Sequence, residues 1–186
     1  MRDGEGGELV RTYDALGLFP VEEQQMLQDG AVSALVTSAT IEPGHGRLTS
    51  ITRPGGHAFS YAYDDLGRIT DEFAPGDSAD APTRRYAYHL DGSTDLPAVE
   101  TFAKVEGGME HSVSQLDGFG RGRTTVTADD AGDGAVVSSV WLDAAGQAAV
   151  QGQAEFAGTE AFEIGTVYEP GDVATVTHHD ALGRVV

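Results

Sequence analysis

Five aspartates stand at matched places along the chain, Asp14, Asp64, Asp117, Asp143 and Asp180, and six histidines are scattered among them. Carboxylates in such numbers invite general acid–base chemistry, in which one group gives a proton while another takes it. Histidines among carboxylates invite a metal ion. Spacing argues against both. A catalytic pair is needed once, whereas each of these aspartates is followed three residues later by a glycine: Gly17, Gly67, Gly120, Gly146 and Gly183. That regularity suits something the chain needs every time it turns.

The remaining constellations fail in the same way. His178 and His179 are adjacent, so on a strand they point to opposite faces. His45, His57, His89 and His111 make no two-histidine helical motif of the zinc-protease type. Asp129, Asp133 and Gly134 suggest a calcium loop, but Ala131 fills the third ligand position and Val140 stands where a bidentate glutamate is required. The run Gly118-Phe119-Gly120-Arg121-Gly122 lacks the third spaced glycine of a dinucleotide fingerprint, and neither a phosphate loop nor a nucleophile elbow occurs. Tyr61, Tyr63, Tyr86, Tyr88 and Trp141 offer aromatic faces to a sugar, although alternating aromatics in strands more often pack against each other. The expectation is a protein without catalytic, cofactor-binding or metal-binding residues, and not an enzyme.

The elements that hold the aspartates explain them better. In Tyr61-Ala62-Tyr63-Asp64-Asp65-Leu66-Gly67-Arg68-Ile69 the aspartate suits the first position of a type I turn, where its carboxylate accepts a backbone N–H two residues on. Gly67 takes the fourth position, where a positive φ is cheap only for glycine. Alternation on both sides gives strands: Phe59, Tyr61 and Tyr63 share one face, with Ala58, Ser60 and Ala62 on the other. Ile69 and Phe73 alternate with Arg68, Thr70 and Glu72. Tyr86, Tyr88 and Leu90 repeat the pattern, as do Val136, Val140 and Leu142. The turn motif therefore comprises Tyr13, Asp14, Gly17, Tyr63, Asp64, Gly67, Arg68, Asp117, Gly120, Asp143, Gly146, Asp180 and Gly183. Pro43-Gly44-His45-Gly46-Arg47-Leu48 keeps only its second half. Gly76 to Pro82 and Asp129 to Gly134 read as loops. Val21 to Gln28 has the composition of a short helical turn and is left open.

An isolated hairpin has nothing to bury its apolar face against, so the copies must stack. Motif glycines separated by some tens of residues fit a repeat array. The expected fold class is all-β, a series of antiparallel hairpins forming part of a spiral sheet, over 1–186 as a single region without an internal boundary. The 25 glycines agree with a turn-rich chain. The formal net charge of -19 repels phosphate backbones and anionic lipid, which excludes nucleic acid as a partner. With no cysteine, neither a disulfide nor a thiolate site is available. Met1 to Gly7 lacks the apolar run of a signal peptide, and no stretch is apolar enough for a helix to cross a bilayer, so no membrane insertion by this segment is expected.

Gly46-Arg47-Leu48-Thr49-Ser50-Ile51-Thr52, leading to Tyr61-Ala62-Tyr63-Asp64-Asp65-Leu66-Gly67-Arg68-Ile69, resembles a full unit of the YD-repeat (Rhs) family. Tyr13-Asp14-Ala15-Leu16-Gly17-Leu18-Phe19-Pro20, Pro75-Gly76-Asp77-Ser78 with Pro82-Thr83, and Leu116-Asp117-Gly118-Phe119-Gly120-Arg121 are similar to the B component of insecticidal toxin complexes. Two copies depart from the pattern: Leu142 and Gln147 replace the aromatic and the arginine, and His179 stands where tyrosine is usual. The resemblance implies a secreted, toxin-like virulence protein whose repeats form the wall of a hollow shell around a C-terminal toxin. Its implied partners are the remainder of that shell, the enclosed toxin and other toxin-complex subunits. A different reading from the same aromatic strands is an extracellular carbohydrate- or surface-binding module.

Overall fold

The computed structural model describes residues 8–26, 34–92, 96–129, 133–168, 174–180 and 183–185. They form antiparallel strands almost throughout, and the packing divides them into two compact units, Met1–Arg85 and Tyr86–Val186.

The first unit holds β1 (Glu8–Tyr13), β2 (Pro20–Met26), β3 (Ala34–Glu42), β4 (Arg47–Arg53), β5 (His57–Tyr63), β6 (Ile69–Phe73) and the start of β7 (Arg84–His89). Each strand pairs with its neighbour in sequence. Register gives the sheet two unlike faces. Ile41 lies opposite Leu48, Ile51 opposite Phe59 and Tyr63 opposite Ile69 on one face. Ser50 with Ser60, Thr52 with Ala58 and Ala62 with Asp71 occupy the other. Among the described residues of this unit only Pro82 is buried, so its strands are held by their ladders and by half-covered cross-strand pairs.

The stretch left open, Val21 to Gln28, resolves as strand over Pro20–Met26, with residues 27 and 28 outside the described set. Glu22, Glu23, Gln24 and Gln25 are good helix formers and do not alternate in hydropathy. Here β2 is paired along both edges, Glu23 with Arg11 on one side and Thr37 on the other, and that pairing overrides local preference.

The second unit continues with β8 (Ala98–Val105), β9 (Gly108–Leu116), β10 (Gly122–Ala128), β11 (Ala135–Leu142), β12 (Ala148–Gly152), β13 (Glu155–Ala157) and β14 (Ala174–Val176), plus one short 3-10 helix, Thr159–Phe162. The first half of β11 pairs with β13 and the second half with β12. Here one face is closed. Ala98, Val113, Val126, Ala135 and Val137 are buried, and Ala157, Ala161, Phe162, Ile164 and Tyr168 lie over them. Residues 157–168 thus act as a strap, pinned where the Gln115 amide donates to the Thr166 carbonyl. Each buried valine contributes about 1.5–3 kcal/mol.

On β11 the core face is Ala135, Val137 and Ser139 rather than Val136, Val140 and Leu142, whose alternation stood out in the sequence. The strand carries valine on both faces, so hydropathy alone does not choose between them. The strap does.

The repeated turn as candidate functional site

Five hairpin turns place the motif residues. At Asp64 the Gly67 N–H donates to the Asp64 carbonyl at 2.9 Å and the Asp64 N–H to the Arg68 carbonyl at 2.9 Å, while Gly67 adopts φ +84°. The carboxylate completes the turn: Oδ1 accepts from the Leu66 and Arg68 amides at 3.0 and 2.9 Å, and Oδ2 accepts from Arg68 Nε at 2.6 Å. Asp117 repeats this with Phe119 and Arg121, and Arg121 Nε reaches Oδ2 at 2.7 Å. Asp180 holds the Arg184 amide and Nε at 3.0 and 2.7 Å. Gly17, Gly120, Gly146 and Gly183 likewise have positive φ. Tyr63 fixes the strand before its turn through an Oη–H bond to the Leu48 carbonyl at 2.7 Å. Tyr13 is half exposed and pairs across the turn with Pro20.

Two copies vary the scheme. At Asp14 the turn is one residue longer, and Oδ1 accepts from Leu18 and Phe19 instead. At Asp143 the amides of Ala145 and Gln147 are held, but no arginine follows. His179, the residue standing in the tyrosine place of the next copy, brings Nδ1 to 3.5 Å from Asp143 Oδ2. The two departures from the sequence pattern therefore meet.

At Asp64, Asp117 and Asp143 these contacts favour the ionised carboxylate. Partial desolvation opposes charge at Asp64, but the Arg68 amide and guanidinium outweigh it and its pKa falls below the ordinary value. At Asp117 the Arg121 amide leads, and at Asp143 the Gln147 amide, each lowering the pKa against desolvation. Each aspartate is committed to its own turn, so the five do not converge as acid and base.

Sequence reasoning missed four features. Glu42 serves the degraded copy: its carboxylate accepts from the Gly44 and His45 amides at 2.7 and 3.1 Å, and the Gly46 N–H donates to the Glu42 carbonyl. A longer acid spans a turn one residue longer. Second, an extra residue sits in the strand after each of four turns, three places past the glycine: Thr49, Thr70, Arg123 and Ala149. Such bulges bend the strand and increase its twist.

Third, the residue after one motif glycine lies over the glycine of the next turn. A Cβ at Gly67 would meet the Arg47 guanidinium at 3.0 Å, one at Gly146 the Arg121 Nη1 at 2.6 Å, and one at Gly183 the Gln147 amide. Arg121 does both jobs, with Nη2 on Asp117 and Nη1 over Gly146. The glycine is required by its dihedral angle and also by its neighbour.

Two histidines also meet a shared acid: His89 and His111 approach the two oxygens of Glu100 at 2.7 and 3.0 Å. The hint was their equal spacing, eleven residues to either side of Glu100. Phe102 and Phe162 stack on the two sides of His111, at 4.4 and 4.6 Å. Among the described residues no group of three histidines or acids is arranged to hold a metal. No helix among them is long and apolar enough to cross a membrane.

The span from Gly44 to Glu72 contains the Glu42-type loop glycine, the Arg47 contact, the Asp64 turn and the Thr49 and Thr70 bulges. Residues 44–72 match the RHS Repeat family model. The RHS repeat so delimited runs through β4 and β5 and most of β6, so the match covers two linked turns. Outside the matched span, the Asp117, Asp143 and Asp180 turns repeat the backbone hydrogen bonds of the Asp64 turn. No curated protein matches the chain.

Proposed function

We propose that the chain is a structural wall segment of a larger, secreted toxin-like protein, in which RHS repeats enclose a C-terminal toxin. The observation that carries this reading is the recurrence of one self-contained turn, clamped to its neighbour by the Arg47 and Arg121 contacts and followed by a bulge. Units of that kind extend a sheet strand by strand and bend it in the same sense each time. A bent, edge-protected sheet separates an inside from an outside. The narrower likeness to the B component of insecticidal toxin complexes supports a protein cargo and partner subunits of the complex. The wall needs no catalytic group, and the motif aspartates are spent on turns.

The test uses the full-length protein that contains this chain. Limited proteolysis should leave a C-terminal fragment intact and co-purifying with the repeat region. Digestion of that C-terminus at the rate of an unfolded chain would contradict enclosure.

A further inference from the structure

Residues 158–168 of the strap lie on the sheet without joining it. Their backbone bonds are local, from the Ala161 N–H to the Gly158 carbonyl at 3.1 Å, the Glu163 N–H to the Glu160 carbonyl at 3.0 Å and the Thr166 N–H to the Glu163 carbonyl at 3.3 Å. Among the described residues one side-chain bond ties this stretch to a strand, from the Gln115 amide to the Thr166 carbonyl. The rest of the attachment is packing. Ala161 is buried, Phe162, Ile164 and Tyr168 rest on the core, and Phe162 stacks on His111. No ladder has to break for the stretch to lift. A glycine stands near each end: Gly158 joins it to β13, and Gly165, at φ +96°, reverses the chain just before Thr166. Small residues of this kind absorb the backbone rotation of a hinge.

The face beneath is not a plain hydrocarbon core. Register sets two rows side by side on it: Val113, Val126 and Val137 lie opposite one another in one, and Gln115, Thr124 and Ser139 in the next. All six are buried. The closed arrangement serves the polar row poorly, because Gln115 Oε1 and the Thr124 hydroxyl are both shielded from water without a hydrogen-bond partner. Burial of such groups costs free energy that exposure to water returns. The valines therefore favour a docked strap and the polar row an undocked one. Opposed terms of this kind, with few backbone bonds to break, put a segment at the low end of a protein's local stabilities.

We propose that residues 158–168 form a lid that opens as a unit while the strands beneath stay paired. Closed, it seals the valine row and adds Phe162 to the rings stacked on His111. Open, it bares a face on which neutral hydrogen-bonding groups lie beside small apolar ones. The device goes beyond the wall-segment reading and stands without it.

The chain has no cysteine, so a single introduced thiol reports on the lid. Val126→Cys places that thiol under the strap, and its modification by an aromatic disulfide reagent is followed in increasing urea. A lid gives labelling faster than global unfolding allows, with a urea dependence well below that of the equilibrium transition, because opening exposes little surface. In the same background Thr124→Val keeps nearly the same shape and removes the unpartnered hydroxyl, and it should slow labelling at least about fivefold. Phe162→Ala, which removes packing from the lid alone, should speed it. Labelling that carries the full urea dependence of global unfolding would overturn the proposal, as would a Thr124→Val variant that labels no more slowly than its parent. Val113→Cys gives the same reading at a second site and decides between these outcomes should Val126→Cys fail to fold.

Discussion

At the scale of single residues, the motif glycine does two separable things. Gly67 and Gly120 share a positive φ, but a Cβ would strike Arg47 at the first and nothing within 4 Å at the second. Gly120→Ala therefore incurs only the left-handed backbone penalty, about 1–2 kcal/mol. Gly67→Ala must in addition displace Arg47 and should lower the melting temperature more. Thermal unfolding of the two variants followed by circular dichroism checks the order. The aspartates give a pH prediction. Because the folded pKa of Asp117 is depressed, its contribution is complete above the ordinary value of 3.8 and is lost as pH falls through the folded value. Asp117→Asn should flatten the acid arm of a plot of melting temperature against pH and change little of its shape near neutrality.

The scale of strands and turns shows what could be read in advance. The Asp-to-Gly turns were legible because their partners lie within five residues, so the code is local. The bulges and the Arg-over-Gly contacts depend on where the next hairpin sits, and register is not written in any one window. Glu42 escaped notice because it stands one place off the motif. The strand Pro20–Met26 was obscured by helix-forming residues that only pairing on both sides overrules. Of the candidate site, the turn half was visible and the Glu100 cluster was not, since His89, Glu100 and His111 belong to three different strands. The strap is testable at this scale. Phe162→Ala removes a ring stacked on His111 and, because that ring is only partly buried, should cost less than the about 3–5 kcal/mol of a fully buried one if the strap stays docked. Hydrogen exchange should then quicken across Ala135–Leu142 while strands of the first unit keep their rates.

For the molecule as a whole, the repeat architecture implies edges. Strand β1 ends the strand order of the sheet, and its ladder runs to β2. An unpaired strand edge templates association. The chain in isolation should self-associate, and more so at high salt, where the repulsion of a -19 charge is screened. Sedimentation velocity from low to high salt reads this; a monomer at every concentration and ionic strength would contradict it. Association of this kind is also what a wall segment separated from its neighbours should do.

The claim on which the rest depends is that the recurring acid and glycine bend the backbone between adjacent strands. Backbone dihedral angles measured by solution NMR at Gly17, Gly67, Gly120, Gly146 and Gly183 test it most directly. The account predicts a positive φ at all five, with extended residues on both sides of each turn. Negative, helical φ values there and at the preceding aspartates would contradict it.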